Sequence, residues 1–210
     1  MAANLANRWT RLCKKFTSDE ALITNCYREI RDHYCEPGRY YHNFEHLQSL
    51  FSMAKKHWAE IEDSEAMDFG IWYHDLVYQP GSKENEERSA QIAAERLRAL
   101  GFPVGRTVAV CNLIRATAGH RISGSRRRDL ALFLDFDLSI LASSWNRYHR
   151  YALALRKEYA TLAAAAYRSG RKAFLGSLLQ RRHIFNTELF RRKEVKARAN
   201  IRREIETSLT

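Results

Sequence analysis

Two short stretches concentrate residues able to do metal-assisted chemistry. Arg39-Tyr40-Tyr41-His42-Asn43-Phe44-Glu45-His46 carries two histidines four residues apart, and Trp72-Tyr73-His74-Asp75 carries an adjacent histidine and carboxylate. A helix opening after Pro37-Gly38 would set His42 and His46 one turn apart on one face, close enough to share a pocket. An imidazole nitrogen beside a carboxylate oxygen is the mixed donor set that divalent transition ions favour. A lone histidine on an apolar helix face is more often a core or surface residue with a satisfied hydrogen bond. The two stretches together read as a metal site.

In chain order, His46, His74-Asp75 and a distant Asp137 in Asp135-Phe136-Asp137-Leu138 resemble the H…HD…D pattern of the HD superfamily of metal-dependent phosphohydrolases. The chain looks most like a branch of predicted HD phosphohydrolases. Its matching stretches are Tyr41-His42-Asn43, Tyr73-His74-Asp75, Asn85-Glu86, Thr117 to His120, Asp137-Leu138 and Arg156-Lys157-Glu158-Tyr159, from about Arg39 to the C-terminal helix. The resemblance implies a compact helical bundle of the HD type. It also implies one divalent ion, with Mn, Mg, Fe, Co, Ni and Zn undistinguished, held by His46, His74, Asp75 and Asp137. A position left open for water and a phosphoryl oxygen would make the centre catalytic rather than structural. Asp75 could bridge to a second ion.

The spacing Tyr41-His42-Asn43-x-x-His46 is similar to that of cyclic nucleotide phosphodiesterases, where the first histidine is a general acid and the second binds metal. Carried over, His42 would protonate the leaving oxygen, which departs poorly as an alkoxide. The chain leaves that family's pattern at Leu76-Val77-Tyr78, so cyclic substrates are not implied. His120 falls where other HD branches place an additional histidine for a second metal. It could instead contact a substrate phosphate, as could Arg39, Lys83, Asn85 and Arg156. Asp135 is an alternative to Asp137 as ligand, or a support that orients a ligand histidine. On a helix the two point about 200° apart, so only one faces the site, and Asp137-Leu138 follows the family pattern better.

The elements that must position these residues are helical. Leu5, Trp9, Leu12, Cys13 and Phe16 recur at three- and four-residue intervals from Asn4 to Phe16. Thr17 and Glu20 match a capping box for a second helix with Leu22, Ile23, Cys26, Ile30 and Tyr34 inward. The His42 helix continues through Leu47, Leu50, Phe51 and Ala54. Another, opening at Ser64, runs through Met67, Ile71 and Trp72 and delivers His74-Asp75 near its end. Gln79-Pro80-Gly81-Ser82 is a loop. Helices follow over Glu84 to Leu100 and Val104 to Ala118, although Val108, Val110 and Ile114 alone suggest a strand. Arg121 to Asp129 reads as an exposed basic loop. Leu130 to Leu141, a long helix around Tyr148 to Leu162, and helices over 171–180 and 184–208 complete the chain.

Three prolines and few alternating runs point to an all-α chain, and the resemblance implies a single HD-type domain over 1–210, with helices 1–38 packing on it and 184–210 as a C-terminal helix. No apolar run approaches the ~20 residues a membrane-spanning helix needs, and the N-terminus lacks the core of a signal peptide, so a soluble, cytoplasmic protein is expected. Four cysteines without C-x-x-C spacing argue against a disulfide scaffold or thiolate zinc site. A net charge of +11, from 35 Lys and Arg against 24 Asp and Glu, attracts nucleotides and nucleic acid alike. The runs Arg126-Arg127-Arg128, Arg181-Arg182 and Arg191-Arg192-Lys193 are read first as solvated faces.

The leading expectation is therefore a metal-dependent phosphohydrolase acting on a phosphorylated small molecule, a nucleotide or related phosphoester being the expected substrate class. The alternatives are a non-catalytic, metal-stabilised helical module binding an anionic partner such as nucleic acid, and a di-iron oxygenase on the same fold.

Overall fold

Leu5, Trp9, Leu12 and Cys13 do line one buried side of a helix, α1 (Ala2–Cys13). The computed structural model describes residues 2–122 and 128–207, with side chains from Leu5 onward, and every regular element among them is helical. The chain divides into two compact units, Met1–Leu130 and Ala131–Thr210. No helix among the described residues is long and apolar enough to cross a membrane.

In the first unit, α1 packs on α2 (Glu20–Tyr34), and α3 (Phe44–Lys56) packs on α4 (Ser64–Tyr73), which also meets α5 (Asn85–Ala99) and α6 (Val104–Ala116). The central element is α4. Its Ala66, Met67 and every residue from Phe69 to Tyr73 are buried, as expected for a helix apolar nearly all round. Trp9 meets Phe69, Trp72 and Tyr73 edge-on at centroid separations of 5.9, 5.6 and 6.0 Å, the favoured arrangement of aromatic quadrupoles. Asp63 caps α4, accepting the Ala66 amide at 2.9 Å, and Arg106 grips the same carboxylate with two bonds. Because α4 is buried along its length, the residue that follows it, His74, is delivered into the interior.

The second unit contains most of α7 (Arg128–Asp137), a 3-10 turn over Leu138–Ala142, α8 (Trp145–Glu158), α9 (Ala164–Leu179), α10 (Glu188–Arg191) and α11 (Glu194–Thr207). A buried polar network ties three of them together. Arg171 of α9 bonds Glu204 of α11 at 2.8 Å, Tyr148 of α8 donates to Glu204 at 2.5 Å, and Arg171 donates to the Tyr151 hydroxyl at 3.2 Å. Burial raises the Tyr148 phenol far above its ordinary value, with the Glu204 charge adding to the effect. Taking either ionic partner away would leave its mate charged in a dry interior, a cost of about 3–5 kcal/mol.

Several boundaries differ from the sequence reading. The second helix is capped by Asp19, which accepts the Leu22 amide, while Thr17 accepts the Asp19 amide one step earlier, so the capping box is displaced. The third helix starts at Phe44, not after Gly38. Asn43 lies extended with its side chain accepting the Glu45 amide, which ends the helix on that side. Asp129 belongs to α7, where its carboxylate accepts the Glu62 and Asp63 amides, rather than to a loop. The basic stretch around Arg126 and Arg127 lies outside the described residues. The expected helix over 184–208 is broken into α10 and α11, because residues 184–187 are drawn into hydrogen bonds with Glu194 and Asp135. Cys13, Cys26 and Cys111 are buried free thiols, whereas Cys35 is exposed.

Candidate metal centre

His46 sits in the first turn of α3 with its ring buried, and His74 is the residue at which α4 ends. Their Nε2 atoms face each other at 3.1 Å, and Asp75 Oδ2 lies 2.9 Å from His74 Nε2 and 3.6 Å from His46 Nε2. Donor atoms about 2.1 Å from a shared ion stand ~3.0 Å apart at right angles and ~3.4 Å apart at tetrahedral angles, so these spacings suit joint coordination. Among the described residues, His46, His74 and Asp75 form a group whose ligand atoms all lie within 4.8 Å of one another.

The tautomer of His74 sharpens the point. Its Nδ1 lies 3.0 Å from the Ile71 carbonyl, which can only accept, so Nδ1 carries the proton. In the neutral ring the Nε2 lone pair then points at a carboxylate oxygen and at a second imidazole nitrogen. That array is satisfied either by a proton on His46 Nε2 or by a cation shared among the three groups, and a backbone carbonyl behind a histidine is the usual support of a metal-bound ring. Burial pushes the Asp75 carboxyl up, but the nearby charges of His74, His42 and His46 outweigh this and hold it well below the usual carboxylate range.

His42 lies just before α3 rather than on it. Its ring rests on Tyr78 at a centroid distance of 4.2 Å and stands 5.8 Å from the His46 ring. It therefore borders the donor group from the loop side. The segment after Asp75 is pinned at successive positions. Arg39 donates to the Asp75 and Leu76 carbonyls at 2.6 Å each and to the His42 carbonyl at 3.3 Å. The Asp75 amide donates to the Tyr34 hydroxyl at 3.3 Å, the Val77 amide to Ser89 at 3.0 Å, and Asn85 exchanges two bonds with the backbone of Gln79.

Asn85, expected at the substrate, thus uses its side-chain amide on the backbone around the site, and Arg39, expected there too, gives its terminal nitrogens to backbone carbonyls and its Nε to the Glu36 carboxylate at 3.2 Å. Lys83 is exposed in the turn before α5. His120 closes the turn after α6 with φ +46, and it is not a member of the three-residue donor group. From sequence Tyr34 reads only as an inward residue of the second helix and Tyr78 only as part of the departure after His74-Asp75, and Ser89 is not singled out. Tyr78 lies thirty-six residues beyond His42, so no local spacing signals their ring contact, and nothing marks Ser89.

In the second unit, Asp137 is the last residue of α7 and is half-buried, with Tyr151 close enough for its phenol to feel the charge. Asp135 is fully buried and accepts four bonds, from the amides of Asn186 and Thr187 and from both their side chains, at 2.6 to 3.1 Å. Burial pushes its carboxyl up and these donors pull it only partly back. Asp135 is engaged in building the 184–187 connection. Arg156 donates to the Tyr159 carbonyl at 2.8 Å and lies over the Tyr167 ring.

No family model, no curated protein and no solved structure matches the chain. What the fold and the site define is an all-helical chain with a buried His46/His74/Asp75 group able to hold a metal ion.

Proposed function

We propose that the protein is a metal-dependent phosphohydrolase of the HD type that cleaves a phosphoester of a small molecule, a nucleotide being the best-suited class. The observation that carries the reading is the convergence of His46 Nε2, His74 Nε2 and Asp75 Oδ2, with His74 Nδ1 committed to the Ile71 carbonyl. His46, His74 and Asp75 would hold the ion, and the H…HD…D order calls for a fourth donor beyond these three. A divalent ion bound there supplies Lewis acidity and lowers the pKa of water toward neutrality.

The chain's own residues account for the rest. His42, seated on Tyr78 at the edge of the donor group, delivers a proton to the leaving oxygen. Arg39 fixes the carbonyls of Asp75 and Leu76, so the Asp75 carboxylate keeps its direction without a charged group intruding on the phosphate. Asn85 and Ser89 hold the following loop still. A positioned acid opposite a preorganised carboxylate-imidazole set is what hydrolysis of an alkyl phosphate requires.

The test is elemental analysis of the purified protein, followed by a phosphatase screen over nucleotides. Bound divalent metal in the wild type and its loss from the His74→Ala/Asp75→Ala variant are expected, because two of the proposed donors disappear. Full occupancy in that variant would sink the proposed centre.

A further inference from the structure

We propose that the groove between α1, α3 and the start of α4 is a second ligand site, taking a nucleotide-sized anion with its flat ring on Trp58 and its phosphate on Arg11 and Lys55. The groove is open along one side and has a volume of about 700 Å³, within the ~300–1,000 Å³ usual for small-ligand sites. Lys55 lies nine residues beyond His46 on α3, about 13 Å along the helix axis, and Gln48, the groove residue nearest His46 in sequence, is two residues on and so about 200° around the helix from it. The groove is thus a different place from the metal centre, and the inference does not depend on that centre.

The charges of the groove do not cancel where a ligand would sit. Both acidic groups on its α4 wall are already paired within the chain. Asp68 receives two bonds from Arg8 at 2.6 and 2.8 Å, and Glu65 is held by Lys15 at 2.7 Å and by Arg106 at 2.5 Å. Lys15 and Arg106 pull the Glu65 carboxyl below its ordinary value, so it stays ionised as their partner. Arg11 and Lys55, exposed on facing helices, have no such partner among the described residues. Two uncommitted cations facing one concavity favour an anion.

Trp58 supplies the second half of the argument. It lines the same groove yet remains 57% exposed, with its ring out of stacking contact with any other described ring. An indole left open on a concave wall beside cations is suited to stacking a planar ring, worth about 1–3 kcal/mol for a nucleobase. The Arg8 guanidinium, lying over Phe51 at 4.2 Å, continues the flat lining. Together these features match a ligand with a ring at one end and a phosphate at the other.

Equilibrium binding of the four ribonucleoside monophosphates to the full chain tests this, with EDTA present so that no metal-dependent turnover intervenes. Adenosine and inorganic phosphate are the partial probes. Saturable binding of at least one monophosphate is expected, weakened about 10-fold or more by Trp58→Ala, largely restored in Trp58→Phe, and abolished by Arg11→Glu/Lys55→Glu. The His74→Ala/Asp75→Ala variant should bind within 2-fold of wild type. All three groove positions are exposed, and unchanged thermal unfolding would establish that the variants fold. The proposal is overturned if wild type binds none of the four, if the groove variants bind as wild type does, or if only His74→Ala/Asp75→Ala loses binding. Inorganic phosphate binding as tightly as the monophosphates would remove the ring's role and overturn the site as stated.

Discussion

The two histidines near the donor group differ in surroundings, and that difference predicts different chemistry. His46 Nε2 faces His74 Nε2 in a buried place, whereas His42 is half-buried before the helix with its ring against Tyr78. His46→Ala should lose metal. His42→Ala should keep metal and fold but slow turnover of an alkyl phosphate by about 10² to 10⁴, the range for a positioned proton donor. With nitrophenyl phosphate, whose leaving oxygen departs without a proton, the His42→Ala defect should shrink, provided phosphoryl chemistry limits both rates. Loss of metal from His42→Ala, or equal damage to both substrates, would remove His42 from the role of acid.

Among the elements, α4 carries the most consequence, because its burial fixes where His74 emerges, and Asp63 is the residue that starts it. Asp63→Ala removes an N-cap and should lower stability to urea by about 1–2 kcal/mol. Asp63→Asn keeps the cap and should cost less. Burial pushes the Asp63 carboxyl up, but bonds from Arg106 and from the Ala66 and Glu65 amides outweigh it, so its folded value lies below the ordinary one. A depressed folded value means the stabilisation is complete above the unfolded value of about 3.9 and is lost as pH falls through the folded one. Acid-induced loss of melting temperature below about pH 4 should therefore be smaller in Asp63→Asn than in wild type. A helix opening at Ser64 and ending on His74-Asp75 was legible in the sequence because its apolar run had a clear start. The start of α3 was misread, since the Asn43 cap competes with an uninterrupted helical pattern from Tyr40. Asp135 was left open between ligand and support because its partners, Asn186 and Thr187, lie some fifty residues away and leave no mark in local periodicity. For the same reason the backbone roles of Arg39 and Asn85 were invisible. A donor aimed at a carbonyl and one aimed at a substrate have the same residue type.

At the scale of the whole molecule, the +11 charge is unevenly divided. Residues 131–210 carry 16 Lys and Arg against 7 Asp and Glu, a net +9, which leaves +2 for residues 1–130. Part of the second unit's charge is spent internally, on Arg171 with Glu204 and on Arg198 with Glu194. Lys196 and Arg203 are exposed seven residues apart on one side of α11, and Arg192 is exposed in the turn just before that helix, a basic stripe at this end of the unit. Such a stripe attracts any polyanion, but phosphate contacts alone carry no sequence information. Duplex DNA should therefore bind weakly and without preference, and lose nearly all affinity between low and physiological salt. Each phosphate contact contributes about −0.9 to the slope of log K against log salt, so Arg192→Glu/Lys196→Glu should flatten that slope by about two. Sequence-selective, submicromolar binding at physiological salt would instead make the second unit a nucleic-acid module and move the basic stripe, rather than the donor group of the first unit, to the centre of the protein's function.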